Sequence, residues 1–262
     1  MFDNFSAMLP KAQVDSASDI AARELFDAIV DGRIPPGSPL RLKELSEQLG
    51  MSMMPVREAI RRLAALDLVE MEPRKGARVR ERTLADLQDT YFSRLHLETI
   101  AVWEAAQHFT ADDGARAATA LAEMDAAVSA DDRVAARDAH ERFHFAIYGA
   151  SRRDWLIRSL VPAWRNSERY RVEWMRQDDS KAQRDHEHAS VLAALLCGDG
   201  PDAVRWLRQH LNASVSMAAD KLAGEMGQTP AEVAMPKLGE LMSGLDFSHL
   251  GPHALAPLPD LS

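Results

Sequence analysis

The sequence predicts a mainly α-helical protein in two parts: a small N-terminal helical unit closed by a β-hairpin, then an all-helical bundle. Three observations carry this. Apolar residues recur at helical spacing through most of residues 16–225. The period drops to two only between residues 69 and 79. Positive charge is concentrated in the first third of a chain that is acidic as a whole.

Residues 1–15 read as a flexible leader. A helix is expected over Ser16–Asp31, with Ser16, Ser18 and Asp19 as cap candidates and Ile20, Leu25 and Ile29 near one face. Gly32 ends it, and Pro35-Pro36-Gly37 forms a turn. Leu42, Leu45 and Leu49 make a short amphipathic helix that stops at Gly50. A second helix follows on Val56, Ala59, Ile60 and Leu63, with Pro55 in its first turn, where a missing N–H costs little. Val69 and Met71 then alternate with Glu70 and Glu72, and Ala77 and Val79 with Arg78 and Arg80. Pro73-Arg74-Lys75-Gly76 lies between them, which is a two-stranded hairpin with a basic tip. Helix, helix, turn, helix, hairpin is the order of a winged helix-turn-helix, here spanning residues 16–82. Beyond it, helices are expected near 84–108, 112–129, 131–149, 152–177, 181–197 and 201–225, forming an all-α domain over residues 83–226. Residues 227–262 read as a tail containing Pro and Gly.

The chain of 262 residues is long enough for two domains. Hydrophobic residues at 46% and charged residues at 27% fit a soluble globular protein. No apolar run reaches the roughly 18 residues a membrane helix needs, and Met1-Phe2-Asp3-Asn4-Phe5 lacks the basic and apolar regions of a signal peptide. One cysteine, Cys197, excludes an internal disulfide framework and fits the cytoplasm. The net charge is −9, yet residues 33–82 hold eleven Lys/Arg against seven Asp/Glu, leaving −13 on the rest. A basic block on an acidic body points to a nucleic-acid module joined to another domain.

A helix that enters the DNA major groove presents donors near its N-terminal end. Arg57, Arg61 and Arg62 lie early on the second helix of the pair, and Arg57 and Arg61 share a face. Lys43 starts the helix before it, and Arg74 and Lys75 sit at the wing tip. Any one of these could be an ordinary solvated side chain; the set, followed by a hairpin, points to double-stranded DNA.

The strings Leu45-Ser46-Glu47-Gln48-Leu49-Gly50-Met51-Ser52, Pro55-Val56-Arg57-Glu58-Ala59-Ile60-Arg61-Arg62-Leu63 and Gly76-Ala77-Arg78-Val79 resemble the GntR superfamily, as does Ile34-Pro35-Pro36-Gly37 followed by Leu40. The resemblance implies that Arg57 and the segment Ser52-Met53-Met54-Pro55 read operator DNA, with Gly76 in the wing. One departure stands out: the family often has Arg-Thr where this chain has Met53-Met54, which removes a guanine contact.

In the second domain, His140 and His144 are i, i+4 on one helix, about 6 Å apart along its axis and about 40° around it. Imidazoles so placed can chelate one metal. His188 and His210 fall on two later helices. Spacing alone favours ordinary surface or core histidines. The segments Arg94-Leu95-His96-Leu97-Glu98, Phe143-His144, Gly149-Ala150-Ser151, Glu187-His188, Gly198-Asp199 and His210-Leu211 resemble the FCD domain, the helical ligand-binding domain of the FadR branch. That resemblance implies a divalent metal on His144, His188 and His210. His140 stands where the family has Asp or Asn, and a four-histidine set favours Zn or Ni over Mg or Ca. It also implies a small carboxylate effector held by Arg94, with Arg169 and Arg171 as further candidates. A structural ion pair between Arg94 and Glu98 is the alternative for Arg94. Trp103, Trp155, Trp164, Trp174 and Trp206 read as core packing.

The expected function is a homodimeric DNA-binding regulator, a repressor whose operator affinity is set by a carboxylate effector in a metal-containing domain. Two alternatives stay open: a regulator for which the metal itself is the signal, and a helical metalloenzyme, for which Glu141 is the nearest acidic group to the histidine pair.

Overall fold

The computed structural model describes residues 16–74, 76–171 and 181–227. The leader and tail, Lys75 and Trp174 lie outside the described residues. The chain divides into two compact units, Met1–Arg80 and Glu81–Ser262. The boundary falls two residues before the one expected. Arg80 N–H still bonds Leu68 of the first unit, at 3.0 Å. The Glu81 carbonyl instead accepts from Arg169 of the second, at 3.2 Å.

In the first unit, α1 (Ala17–Val30) starts at a capping box in which Ser16 and Asp19 satisfy each other's backbone N–H. Leu25, Phe26 and Ile29 are buried, whereas Ile20, expected on the same face, is 39% exposed. Strand β1 (Pro39–Leu40) precedes α2 (Leu42–Leu49) and α3 (Met53–Ala65); β2 (Val69–Glu72) and β3 (Gly76–Val79) close the unit. The sheet is three-stranded and antiparallel, in the order β1-β3-β2, rather than the predicted two-stranded hairpin. Two residues beginning with proline cannot display a period of two. What makes them a strand is the edge of β3, where Pro39 pairs with Arg78 and Leu40 with Ala77. Val56, Ala59, Ile60 and Leu63 of α3 pack into the core with Leu45, Val69 and Val79.

The α2–α3 turn depends on Gly50, which caps α2 in the left-handed conformation at φ 64°. Its N–H and that of Met51 return to the Glu47 and Ser46 carbonyls at 3.3 and 3.0 Å.

In the second unit, α4 (Leu84–Ala106), α5 (Ala111–Ser129), α6 (Arg133–Gly149), α7 (Asp154–Glu168), α8 (Lys181–Leu196) and α9 (Gly200–Met226) form an all-helical domain. Helix α4 packs on α7 and α9, α5 on α6, and α8 on α9. The predicted helix over 152–177 stops at Glu168, and the part of it beyond residue 171 lies outside the described residues. Tertiary bonds compete with the next helical turn. Tyr170 gives its hydroxyl to Asp86, Arg169 reaches Asp86 Oδ2 at 2.6 Å, and Arg171 turns back onto Glu168. Of the tryptophans expected in the core, Trp164 is fully buried and Trp103 and Trp206 partly so. Trp155 is 78% exposed, one turn or less from the start of α7, and stacks against Arg158 instead.

Nothing lies within 4 Å of a Cβ placed on Gly50, so the left-handed backbone alone penalises a side chain there. Gly50→Ala is expected to destabilise the N-terminal unit by about 1 kcal/mol. A urea titration followed by circular dichroism checks this, and an unchanged midpoint would refute it.

Candidate metal centre and nucleic-acid interface

His140 and His144 lie one turn apart on the inner face of α6. His188 comes from α8 and His210 from α9. All four are buried, and one nitrogen from each lies within 4.8 Å of the others. His144 Nε2 is 3.1 Å from His140 Nε2 and 3.3 Å from His188 Nε2. Burial, then the charges of neighbouring histidines and arginines, pushes the pKa values of His140, His144 and His188 well below the ordinary range. His210 is lowered too, by burial, with Glu187 partly opposing. The imidazoles are therefore neutral at pH 7 and carry lone pairs.

Their hydrogen bonds fix which nitrogen holds the proton. Arg94 Nε donates to Glu98 Oε1 at 2.6 Å, which keeps Glu98 an acceptor. Tyr148 gives its hydroxyl hydrogen to Glu98 Oε2 at 2.5 Å, so its oxygen accepts from His144 Nδ1 at 2.9 Å. His144 Nε2 is left with its lone pair facing the cluster. His210 Nδ1 donates to Glu187 Oε2 at 3.1 Å, with the same consequence. Burial opposes ionisation of Glu187, but bonds from His210 and Gln183 bring its pKa below the usual value. Carboxylates behind histidines in this way are the usual support of metal ligands. His188 Nδ1 is buried without a hydrogen-bond partner among the described residues. His140 differs: its Nδ1 faces the Arg171 guanidinium at 3.5 Å, a donor only, so its Nε2 carries the hydrogen directed at His144.

These residues fit a borderline divalent metal. With Zn–N bonds near 2.05 Å, tetrahedral zinc sets ligand nitrogens about 3.3 Å apart, the spacing around His144. The donors are neutral nitrogens, which suit Zn or Ni and not Mg or Ca.

Of the effector candidates, Arg94 and Arg171 are brought together. Both are buried, and their guanidinium carbons lie 4.6 and 4.7 Å from the ring centre of Trp164, itself stacked on His140. The Arg94–Glu98 ion pair is present as well, with both side chains fully buried, and Arg94 Nη1 also donates to Ser167 Oγ at 3.1 Å. Arg169 is not in this group; it serves Asp86 and the Glu81 carbonyl. Glu141 is held by Arg165 at 2.6 Å. Tyr148 and Glu187 support the histidines and are not singled out by the sequence, whereas Trp164 is in the core as expected. Tyr148 stands four residues after His144, and that spacing could have found it.

In the N-terminal unit, Lys43 is exposed on α2, and Ser52 is the N-cap of α3 with a hydroxyl that makes no capping bond. Met53, Met54, Arg57 and Arg61 are exposed along the first turns of α3, and Pro55 is half-buried. Arg57 has no ion pair among the described residues. Arg62 is bound to Asp19 of α1 and lies 3.8 Å from Glu58, so it is partly committed to the fold. Asp19 is pulled down to about 2 by bonds from Ser16 and then Arg62. At the wing tip Arg74 (φ 66°) and Gly76 (φ 103°) both take left-handed backbone, which makes Gly76 a conformational requirement of the tip; Lys75 lies outside the described residues.

Residues 17–79 match the family described as bacterial regulatory proteins, gntR family, and residues 89–213 match the FCD domain. The chain is 34% identical over 201 residues to a probable D-xylose utilization operon transcriptional repressor of Paenarthrobacter nicotinovorans, covering 75% of this chain and 86% of that one. It is 26% identical over 211 residues to the HTH-type transcriptional repressor GlaR of Escherichia coli, covering 77% and 96%. The solved structure of E. coli McbR/YncC shares the fold, with a TM-score of 0.69 at 24% identity over 80% of this chain and 100% of that one. A basic winged helix-turn-helix joined to an FCD helical domain, matched along both units by such relatives, makes this chain a member of the GntR family of DNA-binding transcription regulators.

Proposed function

We propose that this protein is a ligand-responsive repressor whose helical domain holds a divalent metal, Zn or Ni, on His140, His144, His188 and His210. The observation that carries this is the buried cluster of four neutral imidazoles, two of them locked by Glu98–Tyr148 and by Glu187 with Nε2 lone pairs turned inward. Left without a ligand, such a cluster costs desolvation of its nitrogens with little return. A metal here would supply Lewis acidity and a coordination position for a small carboxylate.

Arg94 and Arg171, on either neighbour of the histidines, are the groups that would orient that carboxylate through charge-assisted bonds. Glu98 and Glu168 neutralise them in its absence. The protein would act as a homodimer, since a single winged helix buries too little surface to select one genomic site and two-fold operators match two-fold proteins. Arg57 and Arg61 would contact bases, with Lys43, Arg74 and Lys75 on phosphates. Effector binding would change operator affinity through a coupling of about 1–3 kcal/mol. Glu141, tied to Arg165, gives the cluster no evident general base, which weighs against a metalloenzyme.

Elemental analysis of the purified protein is expected to find about one Zn or Ni per chain, lost in both His144→Ala and His188→Ala. A folded wild-type protein that takes up neither metal would overturn the metal assignment. Titrating free metal against operator binding, with and without small carboxylates, separates an effector-responsive regulator from one that senses the metal alone.

The lowered pKa values set the sign expected for the pH dependence of the metal-free domain. The folded histidines hold protons less well than the unfolded ones at about 6.5. Their contribution is therefore complete above pH 7 and is lost as pH falls below about 6.5, where the unfolded chain takes up protons first. Thermal melts of chelator-treated protein from pH 8 to pH 5 should be flat and then fall, and His144→Ala should flatten the fall.

For the DNA side, Arg57→Ala is expected to weaken binding to a selected operator duplex by about 1–3 kcal/mol at fixed salt. Unchanged affinity would remove Arg57 from the interface.

A further inference from the structure

Met53 and Met54 open α3, and their side chains lie outside its buried face. Met53 is 52% exposed and Met54 69%, while the core face of the same helix is carried by Val56, Ala59, Ile60 and Leu63. Helical geometry sets what they stand beside. Residues 54, 57 and 61 are spaced i, i+3, i+7, so Met54 shares a stripe about 60° wide with Arg57 and Arg61. Met53 is one turn before Arg57 on its other side. Arg57 and Arg61 are both exposed. The stripe is thus cationic toward its C-terminal part and apolar at its tip, with the uncommitted Ser52 hydroxyl at the very start.

The positive charge selects DNA as the occupant, and the helix tip is the part that reaches deepest into the major groove. An arginine there would take guanine O6 and N7. A thioether offers no donor, and facing guanine or cytosine it would strip those polar edges of water without replacing the bonds. The one apolar group on a base edge in the major groove is the 5-methyl of thymine.

We propose that Met54, flanked by Met53, reads thymine methyl groups, so that this protein's operator carries thymine where an arginine at the tip of α3 would demand guanine. This rests on α3 being the recognition helix. Met54 then adds a thymine preference to the base contacts of Arg57 and Arg61.

The test starts from a random-sequence duplex library selected on the full-length protein. Each thymine of the enriched duplex is then replaced singly by uracil, which pairs identically and lacks only the methyl. At one or two positions per half-site, affinity should drop about fourfold, the equivalent of roughly 0.8 kcal/mol for one buried methyl. Restoring the methyl on a 5-methylcytosine·guanine pair at that position should recover part of the loss relative to cytosine. In Met54→Ser the thymine and uracil duplexes should bind equally, and binding itself should persist through the arginines. Equal binding of thymine and uracil duplexes by the wild type at every position would overturn the proposal while leaving α3 as the reader. A thymine–uracil difference that survives in Met54→Ser would overturn it too. Failure to enrich any duplex would instead remove α3 as the recognition helix, and the proposal with it.

Discussion

Four buried imidazoles can share one space only while they stay uncharged, because any added proton would face neighbouring rings and two guanidinium groups where burial removes the screening of solvent. The helical domain is built around that condition. Arg94 and Arg171 enter the site already paired, with Glu98 and Glu168. Glu187 takes the Nδ1 hydrogen of His210, and Glu98 takes that of His144 through Tyr148. Glu98 and Glu187 therefore each do two things: they satisfy a buried donor, and they turn a lone pair toward the centre. The four imidazoles come from α6, α8 and α9, and their hydrogen-bond supports from α4, α6, α7 and α8, so the packing of the domain and the chemistry of the cluster are one constraint.

Much of this was legible in the sequence, for reasons that differ by element. Helices with an apolar stripe announce themselves, and α3, α6 and α9 lie within a few residues of their expected bounds. The i, i+4 rule reveals His140 with His144 and Arg94 with Glu98, because both pairs are contacts within one helix. It does not reveal that His188 and His210 meet them, which is a matter of how α8 and α9 pack; only the likeness to FCD domains carried that. Glu187 was hidden for the same reason. It sits beside His188 in the chain yet serves His210 on another helix. Strand β1 and the end of α7 were invisible because both are imposed from outside, by the edge of β3 and by Asp86.

Arg94 illustrates how two readings of one residue can both hold. As a structural ion pair it neutralises Glu98 in a place where an unpaired carboxylate would be costly. As a site residue it lies against Trp164 and influences His144 and His210 by its charge. Nothing forces a choice, because a guanidinium has five N–H donors and Glu98 takes only those of Nε and Nη2. Arg169, with the same residue type and similar burial, is spent on Asp86 and Glu81 at the start of α4. Burial alone would not have separated the two; their partners do.

His140 stands where the resemblance to FCD domains implies Asp or Asn, and its hydrogen bonds show that the two would not be interchangeable. An aspartate there would offer oxygen acceptors whatever its neighbours did. An imidazole offers a lone pair on one nitrogen only, and the Arg171 guanidinium, which can only donate, claims the lone pair of Nδ1. For His140 Nε2 to bind a metal, the proton must move to Nδ1, and Arg171 must then yield. Arg171 already has an alternative partner in Glu168, and an incoming carboxylate would be a second. His140 is thus coupled to Arg171, the arginine proposed to hold a carboxylate from outside. The proposed metal and effector sites would thus be joined through a single guanidinium.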